Sequence, residues 1–279
     1  MKLLPSGIES KFVQVKDLNL HYLEAGEGEV LLLLHGWPTS SWLYRDLMPK
    51  LSENNRVIAL DLPGFGLSDK RIEDSFSFNY YLRHIDGFLE ALSIDKISLT
   101  VHDLGGPIGM LWAVRNQERL QKLVLLNTLV FPEMSWMVKL FGLATVMPLV
   151  NTWLAGPAGI RFSMRFGVQQ KEKLTPEVLK PYQEPFVDRK DRKVLLKAIQ
   201  RMSPKGFKEI AQKLPELKHP VRLIYGENDR ILPDVAQTMA RVKEILPQSE
   251  MSSIPNCGHF LQEEVAEEIA DEMLKFMKA

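Results

Sequence analysis

Cysteine, excess charge and long apolar runs are all scarce in this sequence, and each scarcity excludes a class of protein. Cys257 is the single cysteine, so an internal disulfide and a metal site built from several thiols are both excluded. The 35 basic residues balance the 35 acidic ones, which leaves no overall field to hold a phosphate backbone or an anionic membrane. We therefore expect neither nucleic acid nor a membrane as a partner.

The longest apolar stretch covers residues 140–150 and has about half the length of a membrane-spanning helix. Gly142 and Pro148 also interrupt it. The first residues lack the sustained apolar segment of a signal peptide, and no group of histidines and carboxylates has metal-ligand spacing. These features favour a cytoplasmic protein without a metal or cofactor. Its oligomeric state stays open between a monomer and a homodimer.

Five short, mainly apolar runs indicate strands that are buried on both faces, as in a parallel sheet covered by helices. They cover residues 30–34, 57–60, 97–101, 123–126 and 221–225. Two strands of mixed polarity precede them, at residues 11–17 and 20–24. Helical periodicity is found over residues 40–51, 78–92, 108–115, 235–246 and 263–277. The alternation predicts an α/β fold with a mostly parallel sheet flanked by helices.

Residues 129–214 break this alternation, because helical patches follow one another there without a strand signal. An insertion of this length after the sixth strand is typical of a lid over a site or of a separate helical subdomain. We predict a core of residues 1–128 and 215–279, with residues 129–214 as a helical cap. Large apolar side chains are frequent in this cap. We expect some of them to line an apolar pocket where the cap meets the sheet.

The strand at residues 97–101 runs directly into the sequence HDLGGP, and a helix pattern follows at once. A strand, a sharp turn and a helix form the nucleophile elbow of serine enzymes, where the turn exposes the reacting side chain. The elbow position holds Asp103 here, and no serine of the chain occupies such a turn. A helix N-terminus favours the ionised form of a carboxylate. Asp103 can therefore attack an electrophilic carbon without a base to activate it.

Two further residues supply the partners that this chemistry needs. Asp229 lies in the loop after the last apolar strand, and His259 lies in the sequence PNCGHF before the final helix. The order nucleophile, acid, histidine is that of α/β-hydrolases, in which all three residues meet at the carboxyl edge of the sheet. Asn127, not a carboxylate, follows the strand after the elbow. Asp229 is therefore the candidate acid that orients His259 for catalysis with Asp103.

A fourth element is the sequence LHGWP at residues 34–38, where the first apolar strand ends. In α/β-hydrolases a loop at this position supplies the second N–H group of an oxyanion hole. We expect the backbone N–H groups of Trp37 and Leu104 to be the two donors. Losing one such donor typically costs about 3–4 kcal/mol of transition-state stabilisation.

Two segments and the His-Asp pair of the elbow resemble haloalkane dehalogenases: HGWPTSSWLYR at residues 35–45 and DLPGFGLSDK at residues 61–70. The resemblance extends over roughly residues 25–130 and 220–260. Epoxide hydrolases share the elbow and the mechanism. The resemblance implies an α/β-hydrolase fold and a covalent alkyl ester on Asp103, which water then hydrolyses. A haloalkane gives an alcohol and a halide. The alternatives are an epoxide that gives a diol, or a ligand-binding module without catalysis.

The resemblance also points to residues that would contact the substrate. Dehalogenases usually carry tryptophan directly after the nucleophile, where this chain has Leu104, and several carry asparagine at the position of Trp37. Epoxide hydrolases usually have two lid tyrosines, and the predicted cap contains one. The candidate substrate contacts are therefore the aromatic residues with an N–H or O–H group: Trp37, Trp136, Trp153 and Tyr182. A small apolar molecule and water are the expected reactants.

Overall fold

A computed structural model describes residues 4–278, in which eight strands form one sheet. The strands are β1 (Glu9–Val15), β2 (Leu18–Ala25), β3 (Glu29–Leu34), β4 (Asn55–Leu60), β5 (Ile97–Asp103), β6 (Leu120–Thr128), β7 (Val221–Gly226) and β8 (Glu250–Ile254). The pairs β1–β2 and β2–β4 are antiparallel, and the other neighbouring pairs of the described sheet are parallel. The predicted fold class is confirmed.

Helices flank the sheet and connect its strands. They are α1 (Met48–Leu51), α2 (Phe78–Ala91), α3 (Gly105–Arg115), α4 (Trp136–Val146), α5 (Val150–Leu154), α6 (Pro157–Gly167), α7 (Pro176–Gln183), α8 (Arg189–Gln200), α9 (Pro204–Lys213), α10 (Val235–Ile245), α11 (Leu261–Glu264) and α12 (Ala266–Lys278). The helix predicted at residues 40–51 is a 3₁₀ turn followed by the short α1, which begins at Met48 and has Pro49 in its first turn. The helix predicted at residues 263–277 is divided at Val265, whose backbone is not helical.

The strand order across the sheet is β1-β2-β4-β3-β5-β6-β7-β8. After β3 the chain moves to one side to form β4, and it then crosses to the other side to form β5. The loops that leave β3 and β5 therefore diverge, which opens a crevice at the carboxyl ends of these two strands. The loop with Trp37 follows β3, and Asp103 ends β5. The topology thus brings the predicted oxyanion loop beside the predicted nucleophile.

The edge strand β8 is the one that the sequence pattern does not predict. Its residues are exposed or half-buried except for Ile254, because β8 pairs with β7 alone in the described sheet. The interior strand β5 is buried along its whole length. A search for continuous apolar sequence therefore finds the strands that are covered on both faces, but it misses a polar strand at the edge of the sheet.

Between β6 and β7 the chain forms the helices α4 to α9, which we call the helical insertion. The insertion follows the sixth strand, as the sequence predicts, and its last helix α9 packs against α3 of the core. That residues 129–214 make a domain of their own stays a prediction. Within residues 4–278, no helix has the length and apolarity needed to cross a bilayer.

Candidate active site

Asp103 lies at the sharp turn between β5 and α3. Its backbone has a φ of 47°, in the left-handed region that side chains rarely adopt. The turn presses Asp103 against the loop after β3, so a Cβ atom at Gly36 would lie 2.3 Å from the Cβ atom of Asp103. Only glycine permits this approach. The strained turn presents the carboxylate at the carboxyl edge of the sheet, as a nucleophile elbow requires.

Two backbone N–H groups point at the Asp103 carboxylate. The N–H of Trp37 donates to Oδ1 at 2.6 Å, and the N–H of Leu104 also donates to this carboxylate. These are the two donors that the sequence predicts for an oxyanion hole. Both already donate to the carboxyl group, so negative charge that develops there meets them without rearrangement.

The imidazole of His259 links two carboxylates. Its Nε2 atom lies 3.4 Å from Oδ2 of Asp103, and its Nδ1–H donates to Oδ2 of Asp229 at 2.7 Å. The backbone N–H groups of Ile231 and Leu232 each donate to Oδ1 of Asp229 at 2.8 Å. The structure therefore brings the three residues singled out in the sequence into one row, with a hydrogen bond between His259 and Asp229 and a 3.4 Å approach between His259 and Asp103.

All three side chains are buried, and their charges stabilise one another. Burial alone would raise the pKa of Asp103, but the hydrogen bond from His259 and its charge hold that pKa below its ordinary value. The same opposition lowers the pKa of Asp229. Burial would lower the pKa of His259, yet the two neighbouring carboxylates raise it to about 10. At neutral pH both carboxylates are therefore ionised, and the imidazole carries a proton.

An apolar cavity of about 410 Å³ adjoins Asp103. Asp103 and Trp37 line it from the sheet side, and helices α4, α5, α6 and α8 of the insertion supply most of the remaining wall. The Trp37 ring packs edge-on against Phe141 of α4, with 4.7 Å between the ring centroids. A larger groove beside α12 is polar and does not include Asp103. A cavity of this size and polarity suits a small apolar molecule.

The sequence family described as the alpha/beta hydrolase fold matches residues 29–266. The chain belongs to the α/β-hydrolase family. The matched residues include all the predicted catalytic and oxyanion positions. Membership confirms the resemblance that the sequence motifs indicate, and it supports hydrolase activity at the level of the family.

Relatives of this α/β-hydrolase act on more than one substrate. A cis-3-alkyl-4-alkyloxetan-2-one decarboxylase from Shewanella oneidensis is 29% identical over 99% of this chain and 89% of its own length. Haloalkane dehalogenase 2 from Mycobacterium bovis is 29% identical over 94% of this chain and 92% of its own. The solved structure of haloalkane dehalogenase DbeA from Bradyrhizobium elkani shares the fold. Its TM-score is 0.85 at 21% identity, and the match covers 97% of this chain and 99% of that one.

The structure separates the tryptophans that were expected at the substrate of this hydrolase. Trp37 and Trp153 line the cavity. Trp136 does not: it begins α4 with 65% of its surface exposed to solvent. Helical geometry explains the difference, because Met137 and Phe141 of α4 face the cavity, and the first residue of the helix points away from them.

Tyr182 also lies away from the cavity lining, contrary to the expectation from the sequence. Its buried hydroxyl donates to Oε1 of Glu263 at 2.5 Å. Arg45 donates to both oxygens of the same carboxylate, at 2.6 and 2.8 Å. A buried ion pair needs further hydrogen bonds to offset its desolvation, and Tyr182 supplies one. This tyrosine therefore joins α7 of the insertion to α11 of the core.

Asn127 is a site residue that the sequence reveals only as a missing acid. Its amide Nδ2 donates to Oδ2 of Asp229 at 2.7 Å, and its Oδ1 accepts the N–H of Gly226 at 2.9 Å. Asn127 is the last residue but one of β6 and holds the loop with Asp229, which follows β7. The signal was its position: a polar residue directly after an apolar strand, at the edge where the site forms.

Glu264 is a second residue that sequence reasoning overlooks. Its Oε1 accepts the N–H of Gly258 at 2.7 Å, and its Oε2 accepts the N–H groups of Gln169 and Gln170 at 2.8 and 2.9 Å. The carboxylate therefore connects the loop that carries His259 to the chain leaving α6. In the sequence it looks like one more polar residue of an amphipathic helix, because periodicity does not distinguish a buried acid from an exposed one.

Proposed function

We propose that the protein is a hydrolase that forms a covalent alkyl ester on Asp103 and hydrolyses it with water activated by His259. One observation carries the proposal. One oxygen of the Asp103 carboxylate is held by the Trp37 N–H, and the other faces Nε2 of His259 at 3.4 Å, at the wall of an apolar cavity. A nucleophile, a base and donors for an oxyanion are thus within reach of one bound molecule.

In the first step, the ionised Asp103 oxygen bonds to a saturated carbon, and the leaving group departs with the electron pair of the broken bond. The ester removes one of the two charges that raise the pKa of His259, so the imidazole releases its proton more readily. In the second step, Nε2 takes a proton from water, whose oxygen attacks the Asp103 carboxyl carbon. The oxyanion forms between the N–H groups of Trp37 and Leu104. Its collapse expels the alkoxide, which takes the proton from His259.

The cavity favours a leaving group that departs as a stable anion. Within the described chain, its polar lining consists of Asp103, Ser163 and the indoles of Trp37 and Trp153, without a phenol or a cation. The buried Trp37 indole N–H has no partner among residues 4–278, so it is free to donate to a departing halide. An epoxide oxygen leaves as a strongly basic alkoxide, which requires an acid in the site. A haloalkane is therefore our first choice, ahead of an epoxide.

A β-lactone is the second candidate, because a relative that matches almost the whole chain is named for an alkylated oxetan-2-one. Attack of Asp103 on the saturated ring carbon that bears the ring oxygen breaks that C–O bond, opens the ring and releases a carboxylate, which is also a stable anion. Loss of carbon dioxide from this ester then forms an alkene and expels the Asp103 carboxylate. No water is consumed in that sequence.

A substrate panel separates these readings. Bromoalkanes report bromide release, alkylated oxetan-2-ones report alkene and carbon dioxide, and styrene oxide reports diol. The covalent step is tested by single turnover of the hydrolysed substrate in ¹⁸O-labelled water, with enzyme in excess. We expect the label in Asp103 and not in the alcohol, because water attacks the carboxyl carbon of the ester. Label in the alcohol would mean direct attack of water on the substrate and would overturn the proposal.

The intermediate can also be trapped. His259→Phe lacks the base for the second step, so we expect intact mass spectrometry to show an adduct whose mass identifies the alkyl group. Asp103→Asn is the control and should form none. A different pair of results would favour a ligand-binding module. The wild-type protein would bind members of the panel and turn over none of them, and the His259→Phe variant would form no adduct.

A further inference from the structure

The helices α4, α5 and α6 pack in sequence against one another and expose large apolar side chains. We call this surface the apolar face of the insertion. Its members are between 44% and 86% exposed: Trp136, Leu140, Leu143, Val146, Met147, Leu149, Trp153 and Phe162. Contiguous apolar surface of this kind on a folded chain marks a place where something apolar is bound.

Helix α4 is apolar on both of its sides. The outer stripe follows helical spacing of four, three and four residues: Trp136, Leu140, Leu143 and Met147. The inner stripe lines the cavity: Met137, Phe141 and Ala144. A helix that is apolar all round is expected where both sides are covered. The protein itself covers the inner side of α4 and leaves the outer side in water.

Leu149, at the tip between α4 and α5, is another apolar residue that the protein leaves in water. It is 86% exposed, and its φ is 69°. A leucine rarely adopts this left-handed conformation, and burial within the described chain does not compensate for it. Strain of this kind persists where it serves a function. A surface that receives the Leu149 side chain would supply the missing stabilisation.

The segment that carries the apolar face has charges of one sign. Residues 134–171 contain Lys139, Arg161, Arg165 and Lys171, but no aspartate or glutamate. Lys139 and Arg161 lie among the members of the face, and both are exposed. The zero net charge of the whole chain hides the local positive charge of this segment. The expectation that no membrane is a partner rests on the net charge and therefore does not take this local charge into account. The complementary surface is both apolar and anionic.

The cavity opens through this face. Leu140, Val150, Trp153 and Phe162 line the cavity and are also exposed to solvent. A second copy of the chain, or another folded protein, would close this opening when it covered the face. A fluid apolar phase would cover the same side chains and still let small molecules diffuse between them.

We propose that the apolar face of the insertion docks on the surface of a bilayer that contains anionic lipids, from which apolar substrates enter the cavity. Helix α4 has 11 residues, about half of what a spanning helix needs, so it would lie in the interface plane. Docking follows from the face alone. Entry of substrate from the lipid rests on the proposed function as well.

The test is flotation of the purified full-length protein with vesicles of phosphatidylcholine, either alone or mixed with phosphatidylglycerol. We expect wild type to float with the mixed vesicles and to be released by raised salt. The double variant Leu143→Gln with Leu149→Gln should lose at least about tenfold in partitioning. Neither leucine lines the cavity, so turnover of a short, water-soluble bromoalkane should stay unchanged. The matched control is Phe12→Gln with Met251→Gln, which changes exposed apolar residues of β1 and β8.

Three results would overturn the docking proposal. They are wild type that floats with neither kind of vesicle, a double variant that floats as wild type does, and a dimer in solution that the same double variant dissociates. The last result would make the face an interface between copies. Vesicle binding without turnover of any substrate would defeat the proposed function and leave docking intact. Turnover without vesicle binding would defeat the docking proposal and leave the proposed function intact.

Discussion

The edge of the sheet and the helical insertion meet across one cavity, and they differ in kind. On the sheet side, Asp103, His259 and Asp229 are buried and charged. Backbone N–H groups donate to both carboxylates, and His259 donates to Asp229. On the insertion side, the wall is almost wholly apolar, and much of it is half-exposed. The difference teaches that a polar, hydrogen-bonded edge suited to chemistry can face an apolar cover suited to holding the molecule that reacts.

The two regions are joined by adjacent acids of the short helix α11. Glu263 binds Tyr182 of α7, and Glu264 binds Gln169 and Gln170 after α6. Both acids follow closely on His259. The position of the His259 imidazole and the position of the insertion therefore depend on the same four-residue helix, so the two regions are not independent.

The largest effect is expected on the sheet side, from Asp103→Asn. The amide keeps the shape of the side chain but cannot form the ester, so turnover should fall by at least about 10⁴-fold. Halide or product release measures the loss, and circular dichroism confirms the fold. Asp95→Asn changes an exposed aspartate just before the same strand and should remain fully active. More than about a hundredth of the activity in Asp103→Asn would show that the edge does not hold the nucleophile.

Trp37→Phe tests the point where the two regions touch. Phenylalanine keeps a ring against Phe141 but removes the free indole N–H, so kcat/KM for a chloroalkane should fall by about 10²-fold, and less for a bromoalkane. Trp42→Phe is the matched control, because Trp42 is also buried with an unpartnered indole but does not line the cavity. An equal loss for both leaving groups would assign Trp37 to packing alone.

The same contrast explains what could be predicted from the sequence. The strand at residues 97–101, the turn at Asp103 and the loops with Asp229 and His259 leave local signals, because burial on both faces and tight turns restrict residue type. The sequence of the insertion carries no local signal of this precision. Its helices are apolar on more than one side, so periodicity could not tell that Trp153 faces the cavity and Trp136 does not.

Contacts between residues far apart in the chain were also beyond the sequence. Tyr182 was expected at the substrate because a lid tyrosine is usual in one of the two similar families, and it binds Glu263 instead. Asn127 and Glu264 act through partners about a hundred residues away. Nothing in the local pattern of either residue encodes such a partner, so only the assembled fold reveals the role.

Glu264→Gln should weaken the link between the regions. The amide nitrogen cannot accept the N–H groups that the carboxylate now binds, so the loop of His259 loses a fixed anchor. We expect about a tenfold loss in the hydrolysis of the ester and a smaller loss in its formation, measured separately by rapid quench. Glu268→Gln, an exposed position on α12, is the control. Equal losses in both steps would point to a lower fraction of folded enzyme.

The charges at the edge predict a pH dependence of stability. The raised pKa of His259 stabilises the fold fully below its ordinary value of 6.5, and this stabilisation is lost as the pH rises through about 10. The unfolding temperature should therefore fall by a few degrees across that window, beyond the fall seen in His259→Phe. The difference between the two proteins isolates the imidazole from other groups that titrate there. Parallel curves would mean that the histidine is not held by Asp103 and Asp229.

The smallest effects should come from the insertion, where they distinguish residues that stabilise the fold from residues that contact the substrate. Tyr182→Phe removes one hydrogen bond to Glu263, whose two bonds from Arg45 remain, so the free energy of unfolding should fall by about 1–3 kcal/mol with kcat/KM unchanged. Trp153→Phe should instead change KM several-fold for bulky substrates and leave stability nearly intact, because the ring is half-exposed and lines the cavity. Denaturant unfolding and steady-state kinetics measure both variants. A KM change in Tyr182→Phe would mean that this tyrosine contacts the substrate after all, and that it does not act only by joining the insertion to the core.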